Sequence, residues 1–143
     1  MLSSDPNAAI RPALLSAYAA TYTDVEVAVR DGSIRSAALG RHAIPPALDQ
    51  LQQAVEQYLN LGVVPVGVPS LNARVASVNL GAIPGQAVVA SCPSAPRLVN
   101  RRTGQPVPFK ALPANPVTVD LQTVQGHWVV TFFKVDRSKT CSA

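Results

Sequence analysis

Acid–base chemistry is the first possibility that the side chains of this sequence raise. The candidate groups are Tyr18, Tyr22, Tyr58, Asp120 and His127, whose side chains can give or take protons. Tyr18 and Tyr22 share one helix face, where tyrosines more often pack in the core. Asp120 alternates with apolar neighbours and His127 follows a tight turn, so both are expected to face water. A small cofactor-free lyase or isomerase would need these groups to converge in a pocket.

Basic residues form the second candidate feature. Net charge is +4; residues 1–69 hold four arginines against six acids, whereas residues 70–143 hold eight basic residues against two acids. An anionic partner is therefore expected in the second half, and the candidate contacts are Arg101, Arg102, Lys110 and Lys134. The alternative is a solvated basic face that maintains solubility. No nucleic-acid partner is expected, because the chain has few aromatic residues to interleave with these cations.

Metal and cofactor chemistry lack a recognisable pattern in the sequence. The two histidines, His42 and His127, have no closely spaced cysteine or carboxylate, so no zinc spacing is present. The sequence has no nucleophile motif of the Gly-x-Ser-x-Gly type and no phosphate-binding glycine loop. We therefore expect neither a metal nor a cofactor.

The only two cysteines are Cys92 and Cys141, and the latter is third from the end of the sequence. A disulfide between them would fix the last strand, and closing a loop of about 50 residues stabilises a fold by roughly 4 kcal/mol in the chain-entropy model. Two unrelated reduced cysteines are the alternative. A persistent disulfide predicts an extracytoplasmic location.

Two amphipathic helices come first among the elements that must position these residues. The first has apolar side chains every three or four residues, namely Ile10, Leu14, Tyr18, Tyr22, Val25 and Val29. It should end at Gly32, and a short helical turn follows near residues 36–40. Pro45 and Pro46 open the second helix, which ends at Gly62.

The pattern then changes from helical to extended. Pro65, Pro69 and Gly67, directly after Gly62, predict a crossover, not a strand, for residues 63–69. Strands are predicted at 71–80, 86–92 and 117–122, with a short excursion at 97–108. Gln125-Gly126 forms a tight turn into the strand His127–Val135. Strict alternation along that strand defines two apolar faces. One holds Trp128, Val130 and Phe132, and the other holds Val129, Thr131, Phe133 and Val135.

This order of elements predicts an α+β fold in which N-terminal helices pack on a curved antiparallel sheet. Residues 1–7 should be a disordered lead-in, and residues 8–143 should form one domain. The chain has no stretch long and apolar enough for a membrane span and no secretory signal after Met1, so it is cytosolic or begins after a removed export segment.

The order of features resembles the nuclear transport factor 2-like (cystatin-like) superfamily, a cone of helices on a curved sheet. Within it, the chain is similar to small exported or lipid-anchored actinobacterial proteins of unknown function. The matching pieces are Leu14–Val29, Ala47–Gly62, Arg74–Leu80, Ala87–Cys92, the turn Arg102–Pro106 and the strand from Gly126 towards Cys141. The resemblance supports the Cys92–Cys141 disulfide and implies that an export or lipidation segment has been removed. The acid expected soon after the first cysteine is absent.

Three functional hypotheses follow. The first is a non-enzymatic, exported cell-envelope domain that binds a partner protein or a small apolar or anionic ligand, peripheral to the membrane through a removed anchor at most. The second is the lyase or isomerase with a pocket tyrosine and Asp120 or His127. The third is an envelope assembly subunit that acts through the outer sheet face, where a homodimer could form. The fold alone does not decide between them.

Overall fold

A computed structural model describes residues 9–108 and 114–141 of the chain. The predicted lead-in at residues 1–7 lies outside these ranges. The elements, in chain order, are α1 (Ile10–Asp31), a 3₁₀ turn (Ala37–Gly40), α2 (Ala47–Leu61), β1 (Val63–Val66), β2 (Arg74–Asn79), β3 (Gln86–Ser91), β4 (Arg97–Asn100), β5 (Val117–Val124) and β6 (His127–Val135). Two helices pack on antiparallel sheets, which confirms the predicted α+β class.

Both helices end where local signals predict. Gly32 follows α1 and Gly62 follows α2, each with a φ of 71° in the left-handed region that glycine adopts without strain. Their N–H groups donate to carbonyls of the last helical turn, which would otherwise lack partners. Pro46 occupies the N-cap position of α2, as expected for a helix opened by proline.

The strands form two sheets, which differs from the single sheet predicted. A four-stranded antiparallel sheet has the order β2-β3-β5-β6, and β1 pairs with β4 in a second, two-stranded sheet. The prediction of a crossover at residues 63–69 is therefore wrong for its first four residues. Pro65 lies opposite Leu98 in β4. A two-stranded sheet consists of edges only, where a residue without an N–H is tolerated.

A bulge in β6 changes which side chains share a face. Asp120 of β5 pairs with Phe132, but the next residue, Leu121, pairs with Val130. Thr131 is thus an extra residue, and the alternation of side chains reverses after it.

Phe133 and Val135 consequently join Trp128 and Val130 on the face towards the helices, because their β5 partners Val119 and Val117 belong to the core or pack against it. The prediction that Phe133 and Val135 lie on the outer face is wrong. Phe132 lies on the outer face instead, with polar and charged neighbours such as Asp120 and Lys134.

The core lies between α1, α2 and the inner face of the four-stranded sheet. Its largest fully buried side chains include Leu14, Tyr18, Leu39, Val55 and Leu121. Tyr18 is completely buried, as its position on the apolar stripe of α1 predicts. The Tyr18 ring contacts the rings of Tyr22 and Phe133, both of which line a groove.

Candidate functional site: a groove between α2 and the end of β6

A groove of about 620 Å³ opens where the two sheets separate. The middle of α1 forms its floor with Thr21, Tyr22 and Val25. One face of α2 forms one wall. The rest of the lining comes from β1 and the residue Gly67 after it, the proline-containing loop after β3, the start of β5 and the end of β6. The volume lies within the range usual for ligand sites.

Two of the three candidate tyrosines line this groove, and the third, Tyr18, lies beneath it in contact with Tyr22. Tyr22 and Tyr58 line the groove. The hydroxyl oxygen of Tyr18 lies 3.2 Å from that of Tyr22 and 2.9 Å from Oγ of Ser91. The Ser91 hydroxyl donates in turn to the carbonyl oxygen of Leu71 at 2.8 Å. This chain of hydrogen bonds connects the groove floor to the sheet.

The groove tyrosines are protonated at neutral pH. Burial, followed by the proximity of Tyr18, raises the pKa of Tyr22 well above its ordinary value, and burial raises the pKa of Tyr58. A tyrosine with a raised pKa is a poor general base. Its neutral hydroxyl is instead a hydrogen-bonding group for a ligand.

Gln50 joins α2 to the outer edge of β6. Its Nε2 group donates to the carbonyl oxygen of Phe133 at 2.8 Å, and its Oε1 atom accepts from the Phe133 N–H at 2.9 Å. One side-chain amide thus occupies both backbone groups that a neighbouring strand would use. Gln53 and Gln57, three and seven residues further along α2, line the groove on the same helix face.

Charge in the described part of the groove is limited to one cation. Arg137 lines the groove, and no described aspartate, glutamate or histidine does. The nearby carboxylate of Glu26 is already used, because it accepts from the Gly67 N–H at 2.8 Å and pairs with Arg30 at 3.0 Å. The described lining therefore carries one positive charge and no negative charge.

The predicted disulfide is present and holds the wall opposite α2. Cys92 and Cys141 are bonded, with 6.1 Å between their Cα atoms. Cys92 N–H donates to the carbonyl oxygen of Leu71 at 3.0 Å, and Cys141 N–H donates to that of Ala114 at 2.8 Å. The bond fixes the loop that starts at Cys92 to the segment beyond β6, and both contribute lining residues.

The structure does not bring the predicted acid–base set together. Asp120 lies on the outer sheet face opposite Phe132. His127 is exposed at the start of β6, where it lines a second recess that shares no residue with the groove. Tyr18 and Tyr22 therefore have neither of their proposed partners in the groove.

The predicted basic contacts also lie on separate elements. Nε of Arg101 donates to the carbonyl oxygen of Val29 at 3.1 Å, so this guanidinium completes the C-terminal end of α1. Arg102 is exposed beside it, whereas Lys134 is exposed on β6 in the other sheet. Lys110 lies outside the described residues. Arg137, another of the eight basic residues in the second half of the chain, lines the groove.

A hydrogen bond between a buried aspartate and a histidine was missed by sequence reasoning. Oδ2 of Asp24 lies 2.6 Å from Nδ1 of His42, and the Asp24 side chain is only 4% exposed. Spacing from Ala17, Thr21 and Ala28 could have placed Asp24 on the buried stripe of α1. Nothing in the sequence indicates His42 as its partner. His42 lines the second recess, which has a volume of about 500 Å³ and also contains Arg41 and Trp128.

Comparisons with known proteins give a fold but no family. No family model matches the sequence, and no curated protein matches it. Among solved structures, the intermembrane space region of the chloroplast protein ARC6 is similar, with a TM-score of 0.54 and 14% identity. The match covers 84% of this chain and 91% of that one. At this identity the likeness shows the fold alone, and it does not bear on the nuclear transport factor 2-like assignment, which stays a prediction.

Among the described residues, no helix is long and apolar enough to cross a bilayer. Over the same ranges, no group of three or more histidine, cysteine, aspartate or glutamate residues is placed to hold a metal ion.

Proposed function

We propose that this domain is a non-enzymatic binding module of the cell envelope, whose groove holds a segment of a partner protein. The observation that carries the proposal is the groove lining. Apolar surface from Val25, Leu51 and Phe133 is bordered by amide and hydroxyl groups, with no described acid to act as a proton acceptor. An apolar floor with a few polar groups is the usual form of a binding site.

An extracytoplasmic location is part of this proposal. The Cys92–Cys141 disulfide is compatible with an oxidising compartment, since such bonds are rare where thiols are kept reduced. The disulfide therefore supports an extracytoplasmic location for the chain.

A random 12-residue peptide library displayed on phage tests the proposal. The target is the oxidised domain, and the test variant is Ala54→Trp, because Ala54 lines the groove and an indole there would fill it. Ala37→Trp is the matched control, since Ala37 is exposed on the 3₁₀ turn.

We expect selected peptides to bind the wild type and Ala37→Trp equally. They should bind Ala54→Trp at least about tenfold more weakly, which corresponds to a loss of about 1.4 kcal/mol of binding free energy. Failure to select any peptide, or equal binding to all three proteins, would contradict the proposed function. Enzymatic turnover of a small ketone or hydroxy substrate would contradict it as well.

A further inference from the structure

The outer edge of β6 is covered at all but one position near the groove. Ala43 bridges to Val130, and the backbone of Ile44 donates to the Val130 carbonyl oxygen at 3.0 Å. Gln50 covers the next outward position, Phe133, with the two hydrogen bonds described above. The chain itself thus protects the edge at Val130 and Phe133.

Val135 is the outward position that follows. Backbone groups of an antiparallel strand point alternately towards and away from the neighbour, so the N–H and C=O of Val135 point away from β5, like those of Phe133. Asp136, which follows, donates its N–H back to Pro116 at 2.9 Å and confirms this alternation. Val135 is 41% exposed and lines the groove, and among the described residues no hydrogen bond outside the pairing with β5 uses its backbone.

The lining around Val135 is suited to an extended main chain. Gln50 shows that an α2 amide can hold the N–H and C=O of one strand residue together. Gln53 and Gln57 present the same group along the groove, and neither has a hydrogen-bond partner among the described residues. Arg137 adds an exposed guanidinium two residues beyond Val135, with no ion pair over the same ranges.

We infer that the groove binds an acidic, extended segment of a partner protein, which adds to β6 as a strand at Val135 and directs a carboxylate to Arg137. Strand addition is an established way of recognising peptides, with main-chain hydrogen bonds giving affinity and side-chain contacts giving specificity. This inference rests on the proposed function and specifies the chemistry of its ligand.

The test uses the peptides selected from the phage library, resynthesised with one backbone N-methyl group at each position in turn. N-methylation removes a donor and blocks pairing on that edge. We expect binding to fall about tenfold or more where the methylated residue would pair with Val135 or face Gln53 or Gln57, and to be unchanged at positions outside the groove. Replacing the peptide's acidic residue by its amide should weaken binding up to about fivefold, as should Arg137→Gln.

Three protein variants complete the experiment. Gln53→Ala and Gln57→Ala should each reduce affinity, whereas Arg102→Gln, a change of an exposed arginine outside the groove, should have no effect. Peptides that bind the groove but tolerate every N-methyl group overturn the strand-addition inference and leave the proposed function intact. Selected peptides without acidic residues overturn the carboxylate component. If no peptide binds but an envelope glycan does, both proposals fail.

Discussion

The carboxylate of Asp24 is buried in the middle of α1 and has one hydrogen-bonding partner among the described residues, the ring of His42. The two side chains of this pair differ in their exposure to solvent. The Asp24 side chain is 4% exposed and the His42 side chain is 37% exposed. Removing the acid leaves a ring that water can reach, whereas removing the ring leaves a buried carboxylate without its partner.

His42→Ala should therefore be more destabilising than Asp24→Ala. We expect a loss of about 2–3 kcal/mol for the first and about 1 kcal/mol or less for the second, since alanine also favours the helix. Urea unfolding monitored by circular dichroism measures both. The controls are His127→Ala and Glu56→Ala, which are exposed and should change stability by less than about 0.5 kcal/mol. Equal losses for the two test variants would show that the carboxylate finds another partner.

At the residue scale, sequence reasoning located the side chains whose surroundings are local to a helix. The spacing of Tyr18 and Tyr22 placed them on the apolar stripe of α1, where both occur. It could not find the hydrogen bond between Asp24 and His42 or the two hydrogen bonds between Gln50 and Phe133. The residues of the first pair are 18 positions apart in the sequence and those of the second are 83 apart, so only the completed packing brings them together.

At the scale of elements, β6 depends on an α2 side chain to close its edge. Gln50→Ala removes two hydrogen bonds and leaves the N–H and C=O of Phe133 without their partner. We expect a loss of about 1–3 kcal/mol, together with concentration-dependent self-association through the newly open edge. Urea unfolding and sedimentation velocity measure the two effects.

Gln52→Ala is the matched control, because Gln52 lies on the same helix and makes no side-chain hydrogen bond among the described residues. It should remain monomeric with nearly unchanged stability. A Gln50→Ala protein as stable and as monomeric as this control would show that the two Gln50–Phe133 hydrogen bonds do not protect the edge of β6.

Element ends were predictable where a residue type fixes the backbone. Gly32, Gly62 and the turn Gln125-Gly126 occur where expected, and each has a positive φ. The β6 bulge was not predictable, because an extra residue at Thr131 is visible only in the pairing with β5. The strand at Val63–Val66 was missed for a similar reason, since its pairing with β4 is non-local and overrides the proline signal.

For the molecule as a whole, the disulfide connects the loop after β3 to the segment that follows β6. Its reduction should lower the free energy of unfolding by about 4 kcal/mol, the chain-entropy value for a loop of this length. Urea unfolding with and without a phosphine reductant measures the difference. The double variant Cys92→Ser, Cys141→Ser should match the reduced protein and be insensitive to reductant, and a wild type equally stable in both states would refute the prediction.

The same bond also sets an order in time. Cys92 is made 49 residues before Cys141, which at ordinary rates of synthesis is an interval on the order of 2–10 s. Helices and early strands can assemble during that interval, while the thiol of Cys92 still lacks its disulfide partner. The groove therefore acquires its last wall only when the second thiol arrives. We therefore expect a chain that still lacks residue 141 to bind no partner in the groove, so that binding would report that the bond to Cys92 has formed.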